Sequence, residues 1–217
     1  MAKTTGTMKI GLISDVHASP GPLKKALTLL QQAQVEEILC AGDIAGYGNN
    51  LEGTVRLLAE HRCRAILGNH DLWHLQDRGA GNADPTDRYL QSLPLYLWFS
   101  VAGKSLFMVH ASPPDSVMNG ITLLDENGAL LPERTALWRE LLRPLACDLL
   151  VVGHTHQVFA ERLGDLLVVN PGSTRFNHTC MVLHLPDLHV EILPLPDQQP
   201  ILAWNWGMDR GGFSEPA

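Results

Sequence analysis

The stretch Lys9-Ile10-Gly11-Leu12-Ile13-Ser14-Asp15-Val16-His17 decides how the rest of the chain is read. A short apolar run with the look of a buried strand stops at Asp15 and His17, two side chains able to bind metal. Turn residues Ser19-Pro20-Gly21-Pro22 follow, and then Leu23, Ala26, Leu27 and Leu30 recur at the i, i+3, i+4, i+7 spacing of a helix face. The pattern repeats. Glu37 to Ala41 reads as a second strand and runs into a Gly-rich loop from Gly42 to Asn50. Leu51, Val55, Leu58 and Ala59 mark a second helix, and Cys63 to Leu67 a third strand. This βαβαβ order implies a parallel sheet with right-handed crossovers.

Residues 75–92 are polar, with Gly79, Gly81 and Pro85, and read as loop with room for one helix. Leu95 to Val101 and Ser105 to Val109 flank Ala102-Gly103-Lys104 as a hairpin. Residues 111–131, with Pro113, Pro114, Gly120 and Gly128, form a connection long enough to suggest a functional loop such as a lid. Pro132 opens a helix to about Leu142. Strands are expected at Asp148 to Val152, Val158 to Leu163, Leu166 to Val169, Cys180 to Leu185 and Leu188 to Leu193. Two sheets packed face to face with helices outside fit this order. One domain over 1–217 is expected, with its core at about 8–194 and a tail at 195–217, anchored by Trp204 and Trp206.

Composition narrows the function. With 16 Lys+Arg against 23 Asp+Glu, the net charge of -7 disfavours nucleic acid as a partner. A small phosphorylated substrate stays open, since bound cations reverse a local field. No apolar run approaches the ~20 residues of a spanning helix, so no membrane partner is expected. Cys40, Cys63, Cys147 and Cys180 are scattered without a Cys-x-x-Cys pair, which reads as reduced thiols in a cytoplasmic protein.

The polar interruptions carry the chemistry. Strand ends deliver Asp15-Val16-His17, Gly42-Asp43, Gly68-Asn69-His70-Asp71, Val109-His110 and Gly153-His154-Thr155-His156. Each alone is an ordinary turn or a hydrogen-bonded histidine. Ligand sites of α/β sheets lie at the carboxyl ends of strands, so five such ends together make a cluster. Carboxylates, imidazoles and an amide oxygen without thiolate suit divalent Mn, Fe, Co, Ni or Zn rather than Mg or Ca. The donors suffice for two ions if one carboxylate is shared, and ions ~3.5–4 Å apart can clamp a phosphoryl group.

This ordered set resembles the calcineurin-like metallophosphoesterase superfamily, from about Met8 to Leu193. Gly42 to Gly48 and Asn170-Pro171-Gly172-Ser173 resemble its small bacterial and archaeal phosphodiesterase branch. The resemblance implies an α/β fold, the four-layer α/β/β/α sandwich of two mixed sheets flanked by helices. It implies one metal on Asp15, His17, Asp43 and His156, and a second on Asp43, Asn69, His110 and His154, with Asp43 bridging. Manganese is the first choice of ion. His70 would face the substrate phosphoryl without ligating, and Asp71 would orient His70. The activity implied is hydrolysis of phosphodiesters, with monoesters open beside them, by attack of metal-bound hydroxide. A catalytically inactive metal-binding scaffold is the alternative, but such relatives tend to lack a ligand or the equivalent of His70. Nucleotide or phosphoprotein phosphatases usually carry Asp-Arg-Gly after Gly-Asp, where this chain has Gly46-Tyr47-Gly48.

Two departures stand out. Ala111 follows His110 where relatives often have Gly, and Thr174-Arg175-Phe176-Asn177-His178 replaces an expected proline-containing stretch. Of the remaining histidines, His61, His184 and His189 read as structural or solvated, and His74 and His178 as weaker candidates for the pocket wall. Substrate selection is assigned to loops 73–90 and 111–131.

Overall fold

Along β1 (Met8–Ile13), Ile10 and Leu12 face one apolar layer, while Ile13 faces another and Gly11 lies under Leu30. A strand buried on both faces belongs in the middle of a sheet that is itself covered on both sides. The computed structural model, which describes residues 7–78 and 84–203, shows that arrangement. The other elements are α1 (Pro20–Gln32), β2 (Glu37–Cys40), α2 (Leu51–Glu60), β3 (Arg64–Ala65), α3 (Asn69–Arg78), α4 (Pro85–Gln91), β4 (Tyr96–Val101) and β5 (Lys104–Val109). There follow α5 (Pro132–Leu142), β6 (Leu149–Val151), β7 (Val158–Leu163), β8 (Leu166–Pro171), β9 (Thr179–Leu185) and β10 (His189–Pro194).

They form two mixed five-stranded sheets, ordered β10-β9-β1-β2-β3 and β4-β5-β6-β8-β7. In the first sheet β1, β2 and β3 run parallel, and β9 and β10 close it antiparallel. In the second β5, β6 and β8 are parallel, between antiparallel β4 and β7. Ile10, Leu12, Leu39, Met108, Val151 and Met181 fill the space between the sheets. Helices α1, α2 and α4 cover the outer face of the first sheet, where Leu23, Ala26, Leu27 and Leu30 of α1 are all buried. Each of those leucines contributes about 1.5–3 kcal/mol by leaving water. The expected α/β/β/α layering is present. Among the described residues no helix is long and apolar enough to cross a membrane.

Several local readings need correction. The polar segment at 75–92 holds the last turn of one helix and all of another, for α3 runs to Arg78 and α4 spans Pro85–Gln91. Asp84 caps α4 by accepting from the Thr86 and Asp87 amides, and Pro85 occupies the first turn. The third strand shrinks to Arg64–Ala65, and Ala59 of α2 faces solvent. The connection at 111–131 is partly core. Ile121 and Leu123 are fully buried, and the Gln157 side chain accepts from the Leu123 and Leu124 amides. Trp204, Trp206, Gly79 and Gly81 lie outside the described residues.

Asp148 shows how the second sheet is pinned. Its carboxylate accepts from the Ser105 amide and hydroxyl at 2.8 and 2.7 Å and pairs with Lys104 at 3.1 Å. The Ser105 bonds, then Lys104, hold its pKa down at about 2. Because that lies below the unfolded value of ~3.9, its stabilisation is complete above about pH 4 and is lost as pH falls toward 2. Asp148→Ala should cost about 1 kcal/mol at pH 7, since the group is part-exposed, and almost nothing at pH 2. Denaturant melts at the two pH values read this directly, and an equal cost at both would refute it.

Candidate functional site

The loops after the strands are laced together before any side chain is considered. The Asp15 amide donates to Gly42 O, the His17 amide to Asp43 O, and the Gly153 amide to His110 O. These bonds continue the strand pairing past the ends of the sheets and tie four of the five motifs in pairs, and the His70 amide, donating to Asp43 Oδ1, brings in the fifth. Asp15, His17, Asp43, His154 and His156 all have positive φ, between 49° and 65°. For residues with a Cβ this costs about 1–2 kcal/mol each, a strain usually found where function needs it. Close approach explains two glycines. A Cβ on Gly46 would lie 2.6 Å from His70 Nδ1, and one on Gly153 would strike Ser14 Oγ and sit 2.7 Å from the Asp15 carboxylate.

The expected ligands converge in two groups joined by a third. Asp15, His17 and His156 place one donor atom each within 4.8 Å of one another, as do Asp43, His110 and His154. His17, Asp43 and His70 form the linking group. In the first, His17 Nε2 is 3.0 Å from His156 Nε2, which is 3.3 Å from Asp15 Oδ1. In the second, Asn69 Oδ1 lies 3.2 Å from His110 Nε2 and 2.9 Å from His154 Nδ1, and His110 Nε2 is 3.4 Å from Asp43 Oδ1. Asp15, His17 and His110 are fully buried, while His70 is part-exposed at the mouth.

The donor set fits a divalent cation. His17 Nδ1 is 3.1 Å from Ala45 O and His110 Nδ1 is 2.7 Å from Ala41 O. A carbonyl only accepts, so both Nδ1 atoms carry hydrogen and donate, which aims each Nε2 lone pair into the site. Burial lowers His17 to about 4, against the pull of Asp15 and Asp43, so its imidazole is neutral at pH 7. Burial also works against a charged His110, yet Asp43 and Asp15 outweigh it and hold the group up at about 9. Without a cation His110 keeps a second proton facing the Asp43 and Asn69 oxygens. A bound cation would take that proton's place. Burial pushes Asp15 up, but His156, His110 and His17 together hold it well below the carboxylate range.

His70 rides on the first turn of α3, and its amide donates to Asp43 Oδ1 at 2.9 Å. The helix N-terminus thus faces the carboxylate between the two groups, an arrangement that favours negative charge there. Asp71 behaves otherwise than the expected partner of His70. It is fully buried, and its oxygens accept from the Ala45 amide at 2.7 Å and the Gly68 amide at 2.9 Å. Burial, then Asp43, raise it to about 7. Its described bonds brace the two loops that carry Asp43 and His70, and none runs to the His70 ring.

A framework from residues 170–177 holds the rest. The Ser173 hydroxyl donates to Asp15 O, Asn177 Nδ2 to His156 O, and Asn170 Nδ2 to Gly153 O. Arg175 donates to His17 O and Ser19 Oγ, so it supports the first loop. Of the other histidines, His74 pairs with Asp87 at 2.8 Å and His184 with Glu191 at 3.7 Å. Neither His74 nor His178 lines the cavity above the ligands. That cavity is about 280 Å³, and its walls include Tyr47 of the Gly42–Gly48 motif and Trp73 and Met118, which fall in the two loops assigned to substrate selection.

Two sheets that meet over clustered carboxylate, imidazole and amide donors form a candidate site for divalent metal. The sequence model of the calcineurin-like phosphoesterase superfamily domain matches residues 8–187, and the chain belongs to that superfamily. It is 27% identical over 188 residues to the uncharacterised protein MJ0912 of Methanocaldococcus jannaschii, covering 75% of this chain and 68% of that one. Its fold matches the hypothetical protein PH1004 of Pyrococcus horikoshii with a TM-score of 0.71 at 19% identity, over 87% of this chain and 88% of that one. A metallophosphoesterase of Sphaerobacter thermophilus matches with a TM-score of 0.66 at 20% identity, over 88% and 89% of the two chains.

Proposed function

We propose that the chain is a dinuclear phosphodiesterase of the cytoplasm, acting on small phosphorylated substrates. The observation that carries this reading is the pair of donor groups joined through Asp43. Asp15, His17, Asp43 and His156 would hold one ion, and Asp43, Asn69, His110 and His154 the other. The mixed nitrogen and oxygen donors fit Mn, Fe, Co, Ni or Zn, with Mn first. Once bound, such ions supply a water of lowered pKa and neutralise phosphoryl charge.

The chain's own residues do the remainder. The His70 ring presents a donor toward a phosphoryl group seated over Asp43 and Asn69. His70 donates a hydrogen bond to a phosphoryl oxygen or a proton to the departing oxygen. Cavities on both sides of His154 and Met118 favour a diester, because each substituent finds its own space. The free thiols of Cys40, Cys63, Cys147 and Cys180 fit a reducing compartment.

Chelation followed by metal replacement tests the proposal. Metal-free protein should hydrolyse bis(p-nitrophenyl) phosphate at under about 1% of the manganese-restored rate, given the several kcal/mol such ions supply. Undiminished turnover in protein shown by elemental analysis to be free of metal would end this reading.

A further inference from the structure

Beside His70 the site presents two aromatic rings to solvent, Trp73 at 45% and Tyr47 at 50% exposure. Trp73 lies three residues beyond His70 on α3, which puts both on one face of the helix. Their ring centroids are 4.9 Å apart, and Tyr47 approaches His70 from another side at 4.7 Å. Tyr47 is itself braced edge-on by His17 and Phe176. The rings of Trp73 and Tyr47, with Met118, wall a cavity of about 280 Å³ whose floor is Asp43, Asn69 and His154. A second cavity of about 380 Å³ shares Met118 and His154. It carries the carboxylates of Asp125 and Glu126 and has no Trp, Tyr or Phe among its described lining residues.

We infer that Trp73, with Tyr47 beside it, forms a stacking wall for a planar ring carried by the phosphoester substrate. This rests on the phosphoesterase reading above and gives it a substrate class: an ester in which a flat heteroaromatic or aryl group lies within reach of the phosphoryl. Large aromatic side chains are costly to leave in water, and here they stand against the very residues that would receive the phosphoryl group. The neighbouring cavity offers carboxylates instead, so the ring belongs on the Trp73 side. Stacking tolerates any π face, so Trp73 selects for a ring rather than for one particular base.

Two cyclic phosphodiesters, 2′,3′-cyclic AMP and glycerol 1,2-cyclic phosphate, present the same strained five-membered ester with and without a planar base. On Trp73→Ala, kcat/KM for the adenine-bearing ester should fall about 5- to 100-fold further than for the glycerol ester, and Trp73→Phe should recover most of the difference. Bis(p-nitrophenyl) phosphate, assayed alongside, shows whether a single ring is held as well as a purine. Equal losses on both cyclic esters, or no loss on either, would overturn the inference. A second readout needs no turnover. Adenosine should quench tryptophan fluorescence saturably in the native protein and not in Trp73→Phe. If the native protein hydrolyses neither cyclic ester nor bis(p-nitrophenyl) phosphate yet shows that quench, the wall stands and the enzymatic reading falls. Absence of the Trp73-dependent quench removes the wall.

Discussion

The His70→Gln protein is expected to keep its fold and its full metal content while kcat falls by about 10²- to 10⁴-fold. The metal content should survive because the two proposed ligand sets are complete without the His70 ring, even though its nitrogen lies within 4.8 Å of donors on His17 and Asp43. Its backbone amide, which donates to Asp43, is untouched by the substitution. The turnover should fall because Gln cannot release a proton and places its amide differently beside the phosphoryl group. Burial lowers the His70 pKa, while Asp43 and Asp15 draw it partly back, so the ring sits below its ordinary value. A group in that position is mostly neutral at pH 7, but its minor cationic form is a stronger acid. The loss should therefore be larger for alkyl leaving groups, which need the proton, than for p-nitrophenolate, which does not. Steady-state kinetics on both ester types with metal analysis decide the matter. A variant within about twofold of the native rate would remove His70 from the chemistry and leave a metal-binding scaffold as the better reading.

How much of this was legible beforehand differs between elements for physical reasons. Leu23, Ala26, Leu27 and Leu30 announced α1 because one buried face imposes a helical period, and those four are the buried ones. The motif residues were legible because each breaks an apolar strand at its carboxyl end, where the topology then gathers them. Helix α4 was legible only as one helix somewhere within 75–92, since its seven residues are mostly polar and its burial includes the pairing of Asp87 with His74. The role of Ser173 was equally hidden. Its hydroxyl meets the Asp15 carbonyl across 158 residues of sequence, and no local pattern encodes that. Asn177 likewise reaches His156 O only once two loops have docked. The role of Asp71 was carried over from the resemblance alone, whereas its side chain, in the first turn of a helix, turns back to accept the Ala45 and Gly68 amides. Trp73 fell at the start of loop 73–90, to which substrate selection was assigned, but its helical placement beside the ligands shows only in the folded chain.

Asp43 is the residue whose loss should be felt most widely. It belongs to two of the three donor groups, sits 3.4 Å from His110 Nε2 and accepts the His70 amide. In Asp43→Ala both proposed ions lose a shared carboxylate, and the helix N-terminus loses its acceptor. Partners one shell out from a metal are commonly worth 10- to 100-fold in affinity, so a shared ligand should cost more than about 100-fold. Activity should disappear with the metal. The effect on the fold has two opposing parts. An unpaired buried imidazolium at His110 would be costly, but Asp43 is the main reason that proton is held, so His110 can shed it. Removing Asp43 also relieves its repulsion on Asp71, whose pKa should fall from about 7. The fold should then survive with a modest loss, and Asp43→Asn separates the causes. Asparagine keeps the size and an acceptor for the His70 amide but brings no charge to two cations. Metal titration of both variants, beside their denaturant melts, should show folded proteins that bind weakly or not at all. If Asp43→Asn retained two ions per chain at native affinity, Asp43 would not be the bridge and the dinuclear assignment would fail with it.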